Sequence, residues 1–147
     1  MRLPEFDYSQ PEAYFVTICT AAHRALLGRI VDGQMQWNRA GLCVQRCWNA
    51  IPEHYTCVSL DAFVIMPNHI HGILVFGEAR AGHARPLPVV IGSFKSAVSR
   101  EMGFPVWQRG YYDHIIRSPA EWAEINAYIE ANPARWPGPE RLVGPHP

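Results

Sequence analysis

The sequence carries no excess of charge: 13 basic residues balance 13 acidic ones, and the pI is near 7.0. A basic surplus is the usual footprint of a protein held to nucleic acid by bulk electrostatics, so any such contact has to come from a local patch. Lysine is nearly absent: Lys95 is the only one, and every other basic residue is Arg. A GC-rich coding sequence produces that bias by itself, and arginine also suits bidentate phosphate contact. No apolar run approaches the roughly 18 residues of a membrane span. No basic, then apolar, then small-residue signal opens the chain. These absences predict a cytoplasmic protein with no membrane partner. Cysteine is scarce. Cys19, Cys43, Cys47 and Cys57 include no CxxC pair, although Cys43 and Cys47 lie one helical turn apart. Disulfides are not expected without a secretion signal; a zinc site made of these thiols plus a histidine stays open.

What is present is an ordinary globular composition. The chain has 147 residues, 48% of them hydrophobic and 18% charged, enough for one domain with a real core. Residues 1–13 read as a polar lead-in. Tyr14 to Thr20 is β-branched and aromatic, and so a strand. Asp32-Gly33 is hairpin-turn chemistry and predicts a small ribbon between residues 21 and 38. Arg39 to Ile51 places Leu42, Val44, Cys47, Trp48 and Ile51 at helical spacing, and Pro52 ends or breaks that helix. Val58 to Met66 predicts a second strand, with Leu60, Ala62, Val64 and Met66 on one face. His69 to Phe76 predicts a third, joined to it through the tight Pro67-Asn68 connection.

Gly77 to Pro88 lacks periodicity and reads as a mobile loop. Val89 to Met102 predicts a helix with Ile91, Phe94, Val98 and Met102 as its stripe, stopped by Gly103. Val106 to Arg117 has β character. Ser118-Pro119-Ala120-Glu121 is a helix start with an N-cap, a proline in the first turn and a capping-box glutamate. That last helix runs to about Asn132, before Pro133, with Trp122, Ile125 and Ile129 as its stripe. A Pro/Gly-rich tail covers 137–147, leaving 1–136 as a single domain. The order β-α-β-β-α-β plus a C-terminal helix predicts an α+β, ferredoxin-like antiparallel sheet. Its first and third strands would lie in the middle, with one face left for the last helix.

Two histidines two positions apart on a strand share a face, so His69 and His71 would stand side by side, able to hold one metal ion or one phosphate. Taken alone, such a pair is uninformative. Tyr128 and Asn132 are neighbours on the last helix by i,i+4 spacing. Either they are a boundary tyrosine and a helix-end asparagine, or, if the helix crosses the third strand, they join the histidines. Two neutral imidazoles and an amide oxygen suit a divalent ion with open positions for phosphate. A phenol with a free pKa of about 10 needs help to ionise.

Several blocks of the chain resemble one family. They are Phe15-Val16-Thr17, Met66-Pro67-Asn68-His69-Ile70-His71-Gly72-Ile73, Phe94-Lys95-Ser96, Val106 to Arg117, and Tyr128-Ile129-Glu130-Ala131-Asn132-Pro133. In that order and spacing, across residues 12–136, they resemble the REP-associated tyrosine transposases, single-tyrosine HUH enzymes related to the IS200-like transposases. The resemblance implies that His69 and His71 bind Mg²⁺ or Mn²⁺, that Asn132 is a further ligand, and that Tyr128 is the nucleophile. It implies cleavage of single-stranded DNA at a hairpin-forming palindrome through a 5′-phosphotyrosine, by a monomer or a homodimer. Lys95, Arg100, Arg109 and Arg117 are candidate phosphate contacts. Tyr111 and Tyr112 are rival tyrosines, expected on an edge strand away from the third strand, and His114 is a weak candidate. Competing readings are a DNA-binding repressor without chemistry and a metal-dependent nuclease that uses water. A histidine-triad hydrolase is disfavoured, because Ile73 stands where it needs a third histidine.

Overall fold

The computed structural model describes residues 12–77 and 86–136. The expected lead-in at 1–13, the expected loop at 77–88 and the expected tail at 137–147 lie largely outside these residues, and residues 87–88 belong to a helix. A four-stranded antiparallel sheet is built from β1 (Glu12–Cys19), β4 (Val58–Met66), β5 (His69–Phe76) and β6 (Tyr112–Ile116), in the order β4-β5-β1-β6. The first and third strands of the predicted pattern are therefore central. The ribbon is present as β2 (Gly28–Val31) and β3 (Gln34–Trp37). Its turn places Asp32 at φ 53° and Gly33 at φ 75°, as a two-residue Asp-Gly hairpin requires.

Helices α1 (Arg39–Asn49), α2 (Ile51–His54) and α3 (Leu87–Met102) cover one face of the sheet. Val16, Ile18, Ile70 and Leu74 meet Val44, Trp48, Ile91, Phe94 and Val98 there, all fully or nearly fully buried. Helix α1 stops at Asn49, before the expected end; Pro52 then sits in the first turn of the short α2, where its missing N–H costs nothing. Helix α3 starts at Leu87, two residues earlier than its periodicity predicts. Gly103 caps it at φ 84°.

Gly72 is where this layer comes closest to the sheet. A Cβ there would meet Trp48 Cζ2 at 2.5 Å and Phe63 Cδ1 at 3.0 Å. The bare backbone lets the Trp48 and Phe63 rings stack, with centroids 4.5 Å apart and planes 8° apart. Only glycine leaves room for that arrangement.

Two expectations about strands need correction. A bulge between Leu60 and Phe63 shifts the register of β4. Leu60 packs with the α1–α3 layer, whereas Ala62 and Val64 pack on the other face, so the four residues do not share one face. Asp61, in the bulge, accepts a 2.6 Å hydrogen bond from Trp122 Nε1. The predicted strand at 106–117 is split. Trp107 bridges Thr20, Gly110 takes φ 81°, and only Tyr112–Ile116 joins the sheet. A left-handed glycine turns the chain out of the pleat, so Tyr111 lies outside the strand.

Helix α4 (Pro119–Ala131) lies on the second face of the sheet. Ser118 caps it by accepting from the Glu121 N–H at 3.1 Å. Glu121 reaches back to the Arg117 N–H at 2.7 Å and also pairs with His114. Ile129, Ile125 and Trp122 pack on Ala13, Phe15, Ile73 and Ile116. No helix among the described residues is long and apolar enough to cross a membrane.

Candidate active site

Strand alternation and the β5 register decide which way the histidines point. Ile70, Leu74 and Phe76 face the α1–α3 layer, so His69, His71 and Ile73 face α4. Both imidazoles are fully buried, with ring centroids 4.6 Å apart. His71 pairs across the sheet with Thr17, and Thr17 Oγ1 shares a 2.8 Å hydrogen bond with His71 Nδ1. Phe15 stacks on the same ring at 5.4 Å.

The tautomer of His69 follows from its neighbour. The Asn68 amide nitrogen donates to the His23 carbonyl at 3.3 Å, which identifies Oδ1 as the other end of that amide. His69 Nδ1–H donates to that oxygen at 2.7 Å. The Nε2 lone pair of His69 is then directed into the site. Nε2 of His69 and Nε2 of His71 are both buried without a hydrogen-bond partner. Buried polar atoms are ordinarily satisfied, and a metal-bound histidine normally uses its second nitrogen on a carbonyl, carboxylate or similar group. The donor set fits a divalent ion on that ground.

Helix α4 brings its two predicted residues to the same place. The Tyr128 ring lies 5.3 Å from the His71 ring and 6.3 Å from Phe15. Asn132 is buried, and its amide nitrogen donates to the Tyr128 carbonyl at 2.6 Å. With the nitrogen held on the helix, the amide oxygen is the atom left for the site. The Asn132 side chain interacts with both Tyr128 and His69. Towards His69 it favours the protonated ring without closing a well-formed hydrogen bond to Nε2.

Burial sets the protonation states. It pushes the His69 imidazole down to about 4, with nearby His23 acting in the same direction and Asn132 opposing. It holds His71 well below the ordinary histidine range, reinforced by His69. Neutral imidazoles are the metal-binding form. Burial raises the Tyr128 phenol above its usual value, against smaller lowering effects of Asn132 and Arg135. At neutral pH Tyr128 is a phenol, not a phenolate.

Of the rival tyrosines, Tyr111 packs with the α1–α3 layer, whereas Tyr112 shares the α4 face of the sheet with Phe15 and Tyr128. Tyr112 is on edge strand β6, opposite Thr17 and two strands from His71, with its ring edge-on to Phe15 at 6.4 Å. His114 lies on the α4 side, engaged with Glu121. The four basic candidates do not form one patch. Lys95 donates to the carbonyls of Gln108 and Gly110, both at 2.9 Å, and so ties the 106–111 segment to α3. Arg100 lines a cleft in the α1–α3 layer, on the opposite side of the sheet from the histidines. Arg109 and Arg117 are exposed, and Arg117 immediately precedes the cap of α4. Sequence reasoning assigned no role to Thr17, Asn68, Phe15 or Trp136, whose ring is 6.3 Å from His69. The alternation of β1 and the Pro-Asn-His junction were the available signals.

A protein of Haemophilus influenzae, known only as an uncharacterized protein, is 35% identical to this chain over a 158-residue alignment that spans 92% of this chain and 88% of its own. No protein-family model matches. Among solved structures, a REP-associated tyrosine transposase bound to a REP hairpin superposes with a TM-score of 0.69 at 18% identity, over 92% of this chain and 74% of its own. The chain belongs to the Haemophilus protein's family and has the REP-associated tyrosine transposase fold. A transposase candidate from Deinococcus radiodurans R1 superposes less closely, with a TM-score of 0.55 at 20% identity over 88% and 95% of the two chains. Within this transposase fold, the His69–His71 face and α4 are the elements that converge.

Proposed function

We propose that the protein is a tyrosine transposase that cleaves and rejoins single-stranded DNA at hairpin-forming elements. The observation that carries this reading is the pair of buried, unpartnered Nε2 atoms of His69 and His71 with the Tyr128 ring 5.3 Å from His71. Tyr128 is assigned the nucleophile. Its hydroxyl oxygen attacks the phosphorus of a backbone phosphodiester and gives up its proton. The bond to the 3′ oxygen breaks, and that oxygen leaves and takes up a proton. The 5′ phosphate stays esterified to Tyr128 until a 3′-hydroxyl reverses the step and joins strands.

His69, His71 and Asn132 would hold Mg²⁺ or Mn²⁺, which when bound supplies Lewis-acid stabilisation of charge on the phosphate oxygens. Thr17 and Phe15 hold the His71 ring in place and Asn68 fixes His69 in rotation and tautomer, so the site is organised before DNA arrives. Substrate class follows from the fold's likeness to a protein that binds a REP hairpin. Arg109 and Arg117, both exposed, are assigned to phosphate contact, Arg117 beside the start of α4 and Arg109 on the segment that Lys95 ties to α3. Lys95 serves the DNA indirectly, by holding the segment that carries Arg109. Arg100 would touch DNA only on the helix-layer side. The acting unit is a monomer or a homodimer.

Incubation with a labelled hairpin oligonucleotide and Mn²⁺, followed by denaturing electrophoresis and peptide mapping, tests this. A covalent adduct on Tyr128 that Tyr128→Phe abolishes while binding persists is the expected result. Binding without any adduct would replace the reading with a catalytically silent, repressor-like DNA binder. Cleavage that survives Tyr128→Phe would replace it with a nuclease that uses water.

A further inference from the structure

The helix layer on the far side of the sheet holds a second group of metal-ligating side chains, and the DNA chemistry proposed above uses none of them. Cys43 and Cys47 lie one turn apart on α1, and Glu101 lies on the last turn of α3. The two Sγ atoms and a Glu101 carboxylate oxygen are all within 4.8 Å of one another. Among the described residues this is the one such cluster built from His, Cys, Asp or Glu. Zinc bound at about 2.3 Å to sulfur and about 2.0 Å to oxygen, with tetrahedral angles, sets its ligands roughly 3.5–4 Å apart. Closing the cluster onto an ion thus asks for about an ångström of side-chain movement.

We propose that Cys43, Cys47 and Glu101 form a zinc site that staples α1 to α3. Three further observations support it. Cys43 is buried and Cys47 half-buried, and Cys47 lines an open cleft of about 560 Å³ together with His54, Ser93 and Arg100. A fourth ligand, water or an added one, can reach an ion from that cleft. Second, Arg46 already sits on Glu101, donating from Nη1 to Oε2 at 2.9 Å and to Oε1 at 3.1 Å, and from Nη2 to Oε2. Oε1 carries the single longer bond and keeps a lone pair for an ion. Third, the charges close. Two thiols lose two protons as Zn²⁺ binds; two thiolates, one carboxylate, one Zn²⁺ and the Arg46 guanidinium then sum to zero. Without an ion the same crowding works against ionisation, since burial, Cys47 and Glu101 together push the Cys43 thiol up to about 12. Paired thiolates select a borderline-soft ion such as Zn²⁺ over the harder Mg²⁺ or Mn²⁺, which prefer oxygen ligands. The site is independent of the DNA chemistry proposed above.

Cobalt substitution gives a readout that the histidine pair cannot imitate. Reduced, metal-free full-length protein is titrated with Co²⁺, and the thiolate-to-cobalt charge-transfer absorption in the near ultraviolet is followed. The expected result is saturation at one equivalent, bleaching on addition of Zn²⁺, persistence of the band in His71→Ala, and its loss in Cys43→Ser and in Cys47→Ser. Should those serine variants fail to fold, Glu101→Gln, at a solvent-accessible position, keeps the fold and is expected to weaken Co²⁺ binding at least tenfold. Absence of the band in folded wild-type protein overturns the proposal, as does a band that survives both serine variants or binding that Glu101→Gln leaves unchanged.

Discussion

Acidification should destabilise the metal-free protein through His69. The ring is fully buried and its pKa is pushed from 6.5 to about 4. Between those values the unfolded chain binds a proton at this position and the folded chain does not. Stability contributed by the neutral buried ring is therefore complete above about pH 6.5 and is lost progressively as pH falls. By about pH 5 the linkage relation gives a loss of about 2 kcal/mol from this one group. For a domain of this size that corresponds to roughly 6 °C in Tm. His71 moves in the same direction and deepens the effect. The perturbation that isolates His69 is His69→Gln, whose amide cannot titrate. Thermal and urea unfolding of both proteins in chelator, from about pH 7.5 to about pH 5, should show wild-type stability falling towards that of the variant by about 2 kcal/mol. Parallel curves, with a constant difference across the range, would refute the claim that a buried neutral imidazole occupies this position.

Three further outcomes can be checked with the same unfolding measurements. Adding Mn²⁺ near neutral pH should raise the Tm of the wild type but not of His69→Gln or His71→Ala. Gly72→Ala drives a methyl group into Trp48 and Phe63, and overpacking of this kind costs about 1–3 kcal/mol; an unchanged Tm would mean the Trp48–Phe63 stack yields freely. The Glu121 carboxylate is held below its usual pKa by the Arg117 N–H and then by His114. It stabilises the fold above about pH 4.5 and stops doing so as pH falls through its lowered value, so Glu121→Gln should cost under about 1 kcal/mol at neutral pH and progressively less as pH falls through that lowered value.

Periodicity and punctuation in the sequence were enough to define the element order, the central position of the His strand and the start of α4. Ser118 and Gly103 act as local caps, and their chemistry needs no partner elsewhere in the chain. Strand alternation likewise required His69 and His71 to share a face, because that is a property of the backbone alone. What surrounds those histidines was not legible. The β4 bulge that frees Asp61 to hold Trp122 arises from pairing with β5, and no local residue announces it. Lys95 looked like a phosphate contact because a lysine's partners are invisible in sequence; here they are two carbonyls more than ten residues away. The split at Gly110 was readable in principle, since a glycine inside a β-like run marks a break. Only the tertiary structure decided that α4 crosses the sheet close enough to set Tyr128 beside His71 and Asn132 beside His69. It also decided that both Nε2 atoms end up buried and unpartnered. Sequence determines which groups one element presents together. Their convergence across some 57 positions depends on how the helix packs on the sheet, and that is set by the sum of many buried apolar contacts.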